Sequence, residues 1–225
     1  MTADLKPIKL WSHPTPNPQK VAILLHELNL PYEKISTSFE GVKNPEYLAV
    51  NPNGRLPSIH DPNTGLTLWE SGAIIEYLIE KYDPDHRLSF PPGSPEAYLA
   101  KQWLFFQTSG QGPYYGQYFS FKMLHHENVP SAVERYAKEF RRVNEVLEDV
   151  LQKRKEEGMG NGPWLVGGKC SFADLAFVPW QQMPAYTGGG DGVSLDGFPV
   201  VEEWMAQMLA REPVKAATAE GFEEP

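Results

Sequence analysis

Across residues 1–82, short apolar runs of strand-forming composition alternate with segments of helical period. Ile8-Lys9-Leu10-Trp11 is the first such run, and it ends at the breaker cluster Pro14-Thr15-Pro16-Asn17-Pro18. Val21, Leu24, Leu25 and Leu28 then recur at i, i+3, i+4 and i+7, which predicts an amphipathic helix stopping near Asn29, ahead of Pro31. Tyr32 to Thr37 reads as a second strand, parallel to the first by the handedness rule for strand-helix-strand units. Ser58-Ile59-His60 and Leu66-Thr67-Leu68 flank the turn residues Asp61-Pro62-Asn63-Thr64-Gly65 and are expected to pair through them. Ser71 then opens a helix through Tyr82.

Composition shifts at Asp83-Pro84-Asp85 and stays rich in breakers up to Phe90-Pro91-Pro92-Gly93-Ser94-Pro95, which reads as a linker. Everything beyond it reads helical. Ser94, with Pro95 at the first helical position, starts a long helix that Gly110, Gly112 and Pro113 should kink or break. Ser131 with Glu134 has the spacing of a capping box for a helix running towards Gly158, with Arg135, Lys138, Arg141 and Arg142 on its wet side. Ser171-Phe172-Ala173-Asp174 is a second box, ahead of a helix apolar enough to be buried. Val201, Trp204 and Met208 supply a last helix face, and residues 216–225 are expected to be loosely held. Gly188-Gly189-Gly190-Asp191-Gly192 is a loop without the strand-helix context of a phosphate-binding turn.

With 225 residues, 41% of them hydrophobic, the chain can build one large core or two small ones. Its 29 acidic and 20 basic residues leave a formal net charge of −9, which opposes a polyanion. No basic stripe with interleaved aromatics offsets that charge, so no nucleic-acid partner is expected. No apolar run approaches the roughly 20 residues that span a bilayer, and nothing near Met1 resembles an export signal. The expectation is a cytoplasmic protein with no membrane partner. Cys170 is alone, which rules out an intramolecular disulfide or a dithiol cycle; it reads as a small buried residue just ahead of a helix. His26, His60, His86, His125 and His126 show no metal-ligand spacing, so no metal is expected.

The element order β-α-β then β-β-α is that of a thioredoxin-like half. Asn51-Pro52-Asn53-Gly54-Arg55-Leu56-Pro57-Ser58-Ile59, followed by Trp69-Glu70-Ser71-Gly72-Ala73-Ile74-Ile75, resembles the glutathione transferase family, and the resemblance covers almost the whole chain. Trp103-Leu104-Phe105-Phe106-Gln107-Thr108-Ser109-Gly110, Ser131-Ala132-Val133-Glu134-Arg135-Tyr136 and Ala173-Asp174-Leu175-Ala176-Phe177-Val178-Pro179-Trp180 look like its fungal branch, the one that includes the yeast prion-forming regulator of nitrogen metabolism. No Asn/Gln-rich stretch precedes the first strand, so prion behaviour is not carried over. The resemblance implies an α/β thioredoxin-like, glutathione-binding domain at 1–88 and an all-α domain at 95–225. It also implies a homodimer pairing the first domain of one subunit with the second domain of the other. Glutathione would be a co-substrate, with no bound organic cofactor.

Glutathione presents two carboxylates, an ammonium, two peptide groups and a thiol, and the resemblance assigns a residue to each. A cis Leu56-Pro57 bond, implied by the family, would turn the backbone of Leu56 to pair with the cysteinyl peptide unit as an added strand; the plain alternative is a trans proline beginning an edge strand. Ser71 and nearby backbone N–H groups can receive the γ-glutamyl carboxylate while Glu70 faces its ammonium, although the same pair also suits an ordinary helix start. Lys43 and Arg55 are the candidates for the glycyl carboxylate. Asn17 is, by resemblance, the donor that stabilises the thiolate; it equally suits a plain N-cap, and Ser12, His13 and Thr15 compete for the role.

The second substrate is expected between the domains, against the long helix that carries Trp103, Phe106, Gln107, Tyr114, Tyr115 and Phe119. Gln107, Tyr114 and Tyr115 are its expected pocket members. The implied function is conjugation of the glutathione thiol to an electrophile. The same residues leave open glutathione-dependent reduction of a disulfide or peroxide, and a regulatory protein-binding module that retains the site.

Overall fold

The computed structural model describes residues 5–158, 160–188 and 190–220. Contacts divide the chain into two units, Met1–Arg87 with Ala210–Pro225, and Leu88–Leu209.

In the first unit, β1 (Ile8–Ser12), α1 (Pro16–Glu27) and β2 (Tyr32–Ser36) form the expected parallel crossover. A 3-10 turn (Gly41–Lys43) and a short α2 (Pro45–Leu48) lead to β3 (Ser58–Asp61), β4 (Leu66–Trp69) and α3 (Ser71–Tyr82). The sheet order is β2-β1-β3-β4, with β3 antiparallel to both β1 and β4. Helix α1 starts with Pro16 inside its first turn and ends at Leu28, after which Asn29 takes a left-handed φ of 51° and turns the chain towards Pro31.

The predicted face of α1 (Val21, Leu24, Leu25, Leu28) is buried, but so are Lys20, Ala22, Ile23 and Glu27. An amphipathic helix was expected; this one is enclosed by β1, α3 and a C-terminal helix (Glu212–Glu220). That last helix corrects two expectations. Residues 210–220 belong with the α/β unit rather than with the helical one, and the first part of the stretch expected to be loose, 216–220, continues this helix, with Ala217 buried. A bidentate pair from Arg211 to the buried carboxylate of Glu27, at 2.5 and 2.7 Å, ties the return segment to α1. The remainder of the loose tail, 221–225, lies outside the described residues.

The second unit is helical as expected: α4 (Pro95–Phe106), α5 (Gly112–Phe119), α6 (Pro130–Glu157), α7 (Phe172–Leu175), α8 (Val178–Gln181), α9 (Met183–Thr187) and α10 (Pro199–Leu209). Ser94 caps α4, its hydroxyl accepting from Ala97 N–H at 3.2 Å. The Gly110-Gly112-Pro113 stretch does not break the helix but widens it into a π-turn over Gln107–Gln111. Gly112 and Gly116 admit the Trp180 ring, whose atoms would stand 3.4 and 3.2 Å from added Cβ atoms.

The Ser131-Glu134 box does not form. Pro130 occupies the first turn, so the cap is Val129, Ser131 falls inside the helix, and Glu134 pairs with Lys138 instead. Arg135, Lys138, Arg141 and Arg142 are exposed as expected. The Ser171-Asp174 box does form, and Asp174 also accepts from Leu165 N–H and Trp204 Nε1. The single apolar helix expected after it is divided into α7, α8 and α9, the last two with Pro179 and Pro184 in their first turns; α7 is buried and α8 largely so, whereas α9 exposes Ala185 and Tyr186. Cys170 is buried beside that cap. No helix of the described residues is long and apolar enough to cross a membrane.

Asp61 anchors the β3-β4 hairpin to α3. It is buried, and its carboxylate accepts from Tyr77 OH at 2.6 Å, Tyr82 OH at 2.5 Å and Asn63 N–H at 2.8 Å. Burial alone would raise its pKa, but these hydrogen bonds prevail and hold the carboxyl below its ordinary value. A group depressed in this way stabilises the fold above the ordinary carboxylate range and loses that contribution as pH falls. Asp61→Asn is therefore expected to cost about 2 kcal/mol at neutral pH, with the deficit shrinking on acidification. Urea unfolding at two pH values checks this, and equal deficits would show that the charge plays no part.

Candidate functional site

Strand register brings the site together. Trp11 of β1 stands opposite Ser58 of β3, which stands opposite Trp69 of β4. At this end of the sheet, β1 runs out towards α1, the chain enters β3 from Pro57, and β4 runs out into α3. Three adjacent strands span about 10 Å, the reach of about three extended residues.

Asn17 lies within the first turn of α1, not at its cap. Thr15 is the cap residue, and its hydroxyl turns back to the His13 carbonyl at 3.5 Å. Pro16 and Pro18 have no N–H, so among the first three helical positions Asn17 alone carries a backbone N–H and a side-chain amide. The prolines thus leave few main-chain donors at this helix start. Ser12 is buried at the end of β1, and the His13 ring packs edge-on against Phe39, with centroids 4.5 Å apart.

The loop before β3 is held by side chains that sequence reasoning did not single out. Asn51 accepts from Asn53 N–H and donates to the Arg55 carbonyl; Tyr47 donates to that carbonyl at 2.7 Å and shares a 2.8 Å hydrogen bond with Ser58. Leu56-Pro57 is cis. Lys43 donates to the Gly54 carbonyl at 2.9 Å, which makes it a brace for this loop, whereas the Arg55 side chain is exposed. Gly54 has a left-handed φ of 60°, and a Cβ there would lie 3.0 Å from Lys43 Nζ and from the Val42 carbonyl.

Glu70 is the cap residue of α3, exposed and at φ 73°, a conformation that costs a non-glycine residue about 1–3 kcal/mol and is concentrated at functional sites. Its side chain makes no cap hydrogen bond to the N–H groups that open the helix at Ser71, which is 7% exposed. Lys20 was also missed. It lies one turn beyond Asn17 on α1, is 3% exposed, and feels the charge of Glu70. Its i, i+3 spacing from Asn17 was the available signal.

The three expected pocket residues lie in the helical unit. Gln107 and Tyr115 are fully buried there. Gln107 donates to Gln111 at 3.0 Å, and the Tyr115 hydroxyl accepts from Asn144 at 2.9 Å. Burial pushes the Tyr115 hydroxyl pKa well up. Neither side chain offers surface to a ligand, because the π-turn keeps the helix continuous and leaves Tyr115 on the inward stripe with Tyr118. Tyr114 is half-buried, with the Arg142 guanidinium 5.9 Å from its ring centre.

Known proteins agree with this architecture. Residues 15–81 match the model of the glutathione S-transferase N-terminal domain, and residues 113–212 that of the C-terminal domain. A glutathione S-transferase-like protein of Aspergillus fumigatus, tpcF, is 56% identical over 97% of this chain and 98% of its own. The glutathione transferase URE2P6 from Phanerochaete chrysosporium, solved with oxidized glutathione, is 43% identical with a TM-score of 0.88, over 98% of both chains. The yeast prion protein Ure2p in complex with glutathione is 37% identical with a TM-score of 0.88, over 96% of this chain and 95% of that one. Fold and sheet-end site define a two-unit protein of the thioredoxin-like-plus-helical kind. The chain belongs to the glutathione S-transferase family, beside the fungal Ure2p-like members.

Tyr47→Phe removes the hydroxyl that links Arg55 to Ser58 across the loop. It is expected to cost about 1–2 kcal/mol in chemical denaturation, and unchanged stability would show that the hydroxyl does not hold the loop.

Proposed function

We propose that this protein is a glutathione transferase that lays glutathione across the end of the β1-β3-β4 ladder and ionises its thiol beside Asn17 for attack on an electrophile. The observation that carries this reading is the row Trp11-Ser58-Trp69, which sets the start of α1, the cis proline and the start of α3 side by side. The ligand's cysteinyl peptide unit would pair with the backbone of Leu56 as an added strand. Ser71 and the N–H groups that open α3 suit the γ-glutamyl carboxylate, at the positive end of a helix dipole, and Glu70 suits its ammonium. Arg55 is the better candidate for the glycyl carboxylate, since Lys43 already braces the loop.

A thiol with a pKa of about 8.5 is mostly neutral at pH 7, and each unit of depression needs about 1.4 kcal/mol of preference for the thiolate. One hydrogen bond from the Asn17 amide, together with the α1 dipole, is of that order. The thiolate then forms a carbon–sulfur bond to the electrophile as the leaving group departs with its electron pair.

The oxidized glutathione in the Phanerochaete chrysosporium relative favours a second reading, in which the thiolate attacks a disulfide sulfur and expels another thiolate. The chain's own sulfur is not needed for either reaction.

Asn17→Ala is expected to lower turnover of an aryl chloride about 10- to 100-fold, the worth of one hydrogen bond to a charged atom, while glutathione affinity changes only a few-fold. The rising limb of its pH–rate profile should shift upwards. Unchanged turnover sinks the Asn17 assignment. A wild type that reduces a glutathione mixed disulfide but ignores aryl chlorides establishes the second reading, and one that binds glutathione with neither activity favours regulation.

A homodimer is part of the proposal. Light scattering should give about twice 25.3 kDa, and a monomer mass would contradict it.

A further inference from the structure

Two buried side chains converge on one carbonyl in the loop before β3. Tyr47 OH donates to the Arg55 carbonyl at 2.7 Å, and Asn51 Nδ2 donates to the same oxygen at 2.7 Å. A phenol has one proton and the carbonyl can only accept it, so Ser58 is the donor in the 2.8 Å bond between its hydroxyl and that of Tyr47. Both donors to Arg55 are themselves fixed. The Tyr47 ring stands edge-on to Trp11 of β1, with centroids 6.5 Å apart. Asn51 donates its N–H to the Tyr47 carbonyl, accepts from Gly54 N–H at its own carbonyl, and accepts from Asn53 N–H at its side chain.

The direction of the Arg55 carbonyl decides the direction of the next N–H. The Arg55–Leu56 peptide is trans, so its C=O and N–H point in opposite directions within one plane. With the carbonyl turned towards two buried donors, the Leu56 N–H points away from Tyr47 and Asn51. Pro57 has no N–H, and Ser58 is already in register with Trp11 and Trp69, so Leu56 carries the main-chain donor at the entry to β3. Among the described residues that N–H has no acceptor, and a backbone donor is a group that water or a ligand then satisfies.

We propose that Tyr47 and Asn51 are positioning residues that aim the Leu56 N–H at the ligand: two donors on the inner side set the Arg55–Leu56 plane before glutathione arrives, and its outward N–H receives the cysteinyl carbonyl. This rests on reading the Leu56 backbone as the strand edge to which glutathione adds. A plane that has lost one of its inner donors can turn its carbonyl towards solvent, where water replaces the missing bond, and the N–H then faces inwards. Binding has to reverse that rotation, so affinity falls with the fraction of molecules in the competent orientation.

The test is titration calorimetry of the full chain with S-methylglutathione, whose thioether has no thiol to ionise, together with the Leu56 amide signal in NMR of leucine-labelled protein. In the wild type the Leu56 amide proton is expected to move downfield and to exchange more slowly with water when the ligand binds. Tyr47→Phe keeps the ring against Trp11, and it and Asn51→Ala should each weaken binding about three- to tenfold, the worth of one hydrogen bond. Asp61→Asn serves as the control for stability: it loosens the same unit without touching the Arg55 carbonyl, and should bind as the wild type does. Unchanged affinity in both loop variants, an equal loss in Asp61→Asn, or a wild-type Leu56 amide unmoved by bound ligand overturns the proposal while leaving the site. Failure of the wild type to bind S-methylglutathione at all overturns the glutathione site itself, and the role of the two residues with it.

Discussion

The pairing of β1, β3 and β4 is the constraint on which the site depends. Ile8, Leu10 and Ile59 face the core, and a slip of one residue would turn them outwards, so burial pins the register. The same slip would move a strand end by about 3.3 Å, a third of the roughly 10 Å that the three strand ends span. Core packing therefore sets the precision of the site, and the polar residues at the sheet end inherit it.

Around that frame the α/β unit handles several buried charges in different ways. Glu27 is met by the guanidinium fork of Arg211. Asp61 is met by neutral donors, two phenols and a backbone N–H, which keep it ionised without a cation. Lys20 is withdrawn from water, which brings its pKa down to about 7, with the charge of Glu70 working against that fall.

The helical unit puts its polar groups to structural use. Asn144 bridges Tyr115 and Gln181, and Asp174 joins its own helix start to Leu165 and Trp204. Glu148 of α6 accepts from the N–H groups of Val200 and Val201 at the start of α10, a cap supplied across space. These bonds satisfy buried donors and acceptors that would otherwise cost about 1–3 kcal/mol each. They also account for Gln107 and Tyr115, whose residue types suggested a pocket and whose helical phase puts them in a core.

What the sequence by itself determined is local. Strand and helix periods, the parallel crossover, Ser94 and Ser171 as caps, and the positions of Pro57 before a strand and Ser71 at a helix start all follow from residues within a few positions of one another. The Ser131 box failed on that same scale, because Pro130 claimed the first turn. Only the tertiary structure decided that α1 is enclosed all round, that residues 210–220 return to it, that Lys20 is buried, and that Tyr115 points inwards. Each of these depends on what packs from elsewhere in the chain. The Glu27–Arg211 pair spans 184 positions, a separation at which no periodicity or turn chemistry carries information.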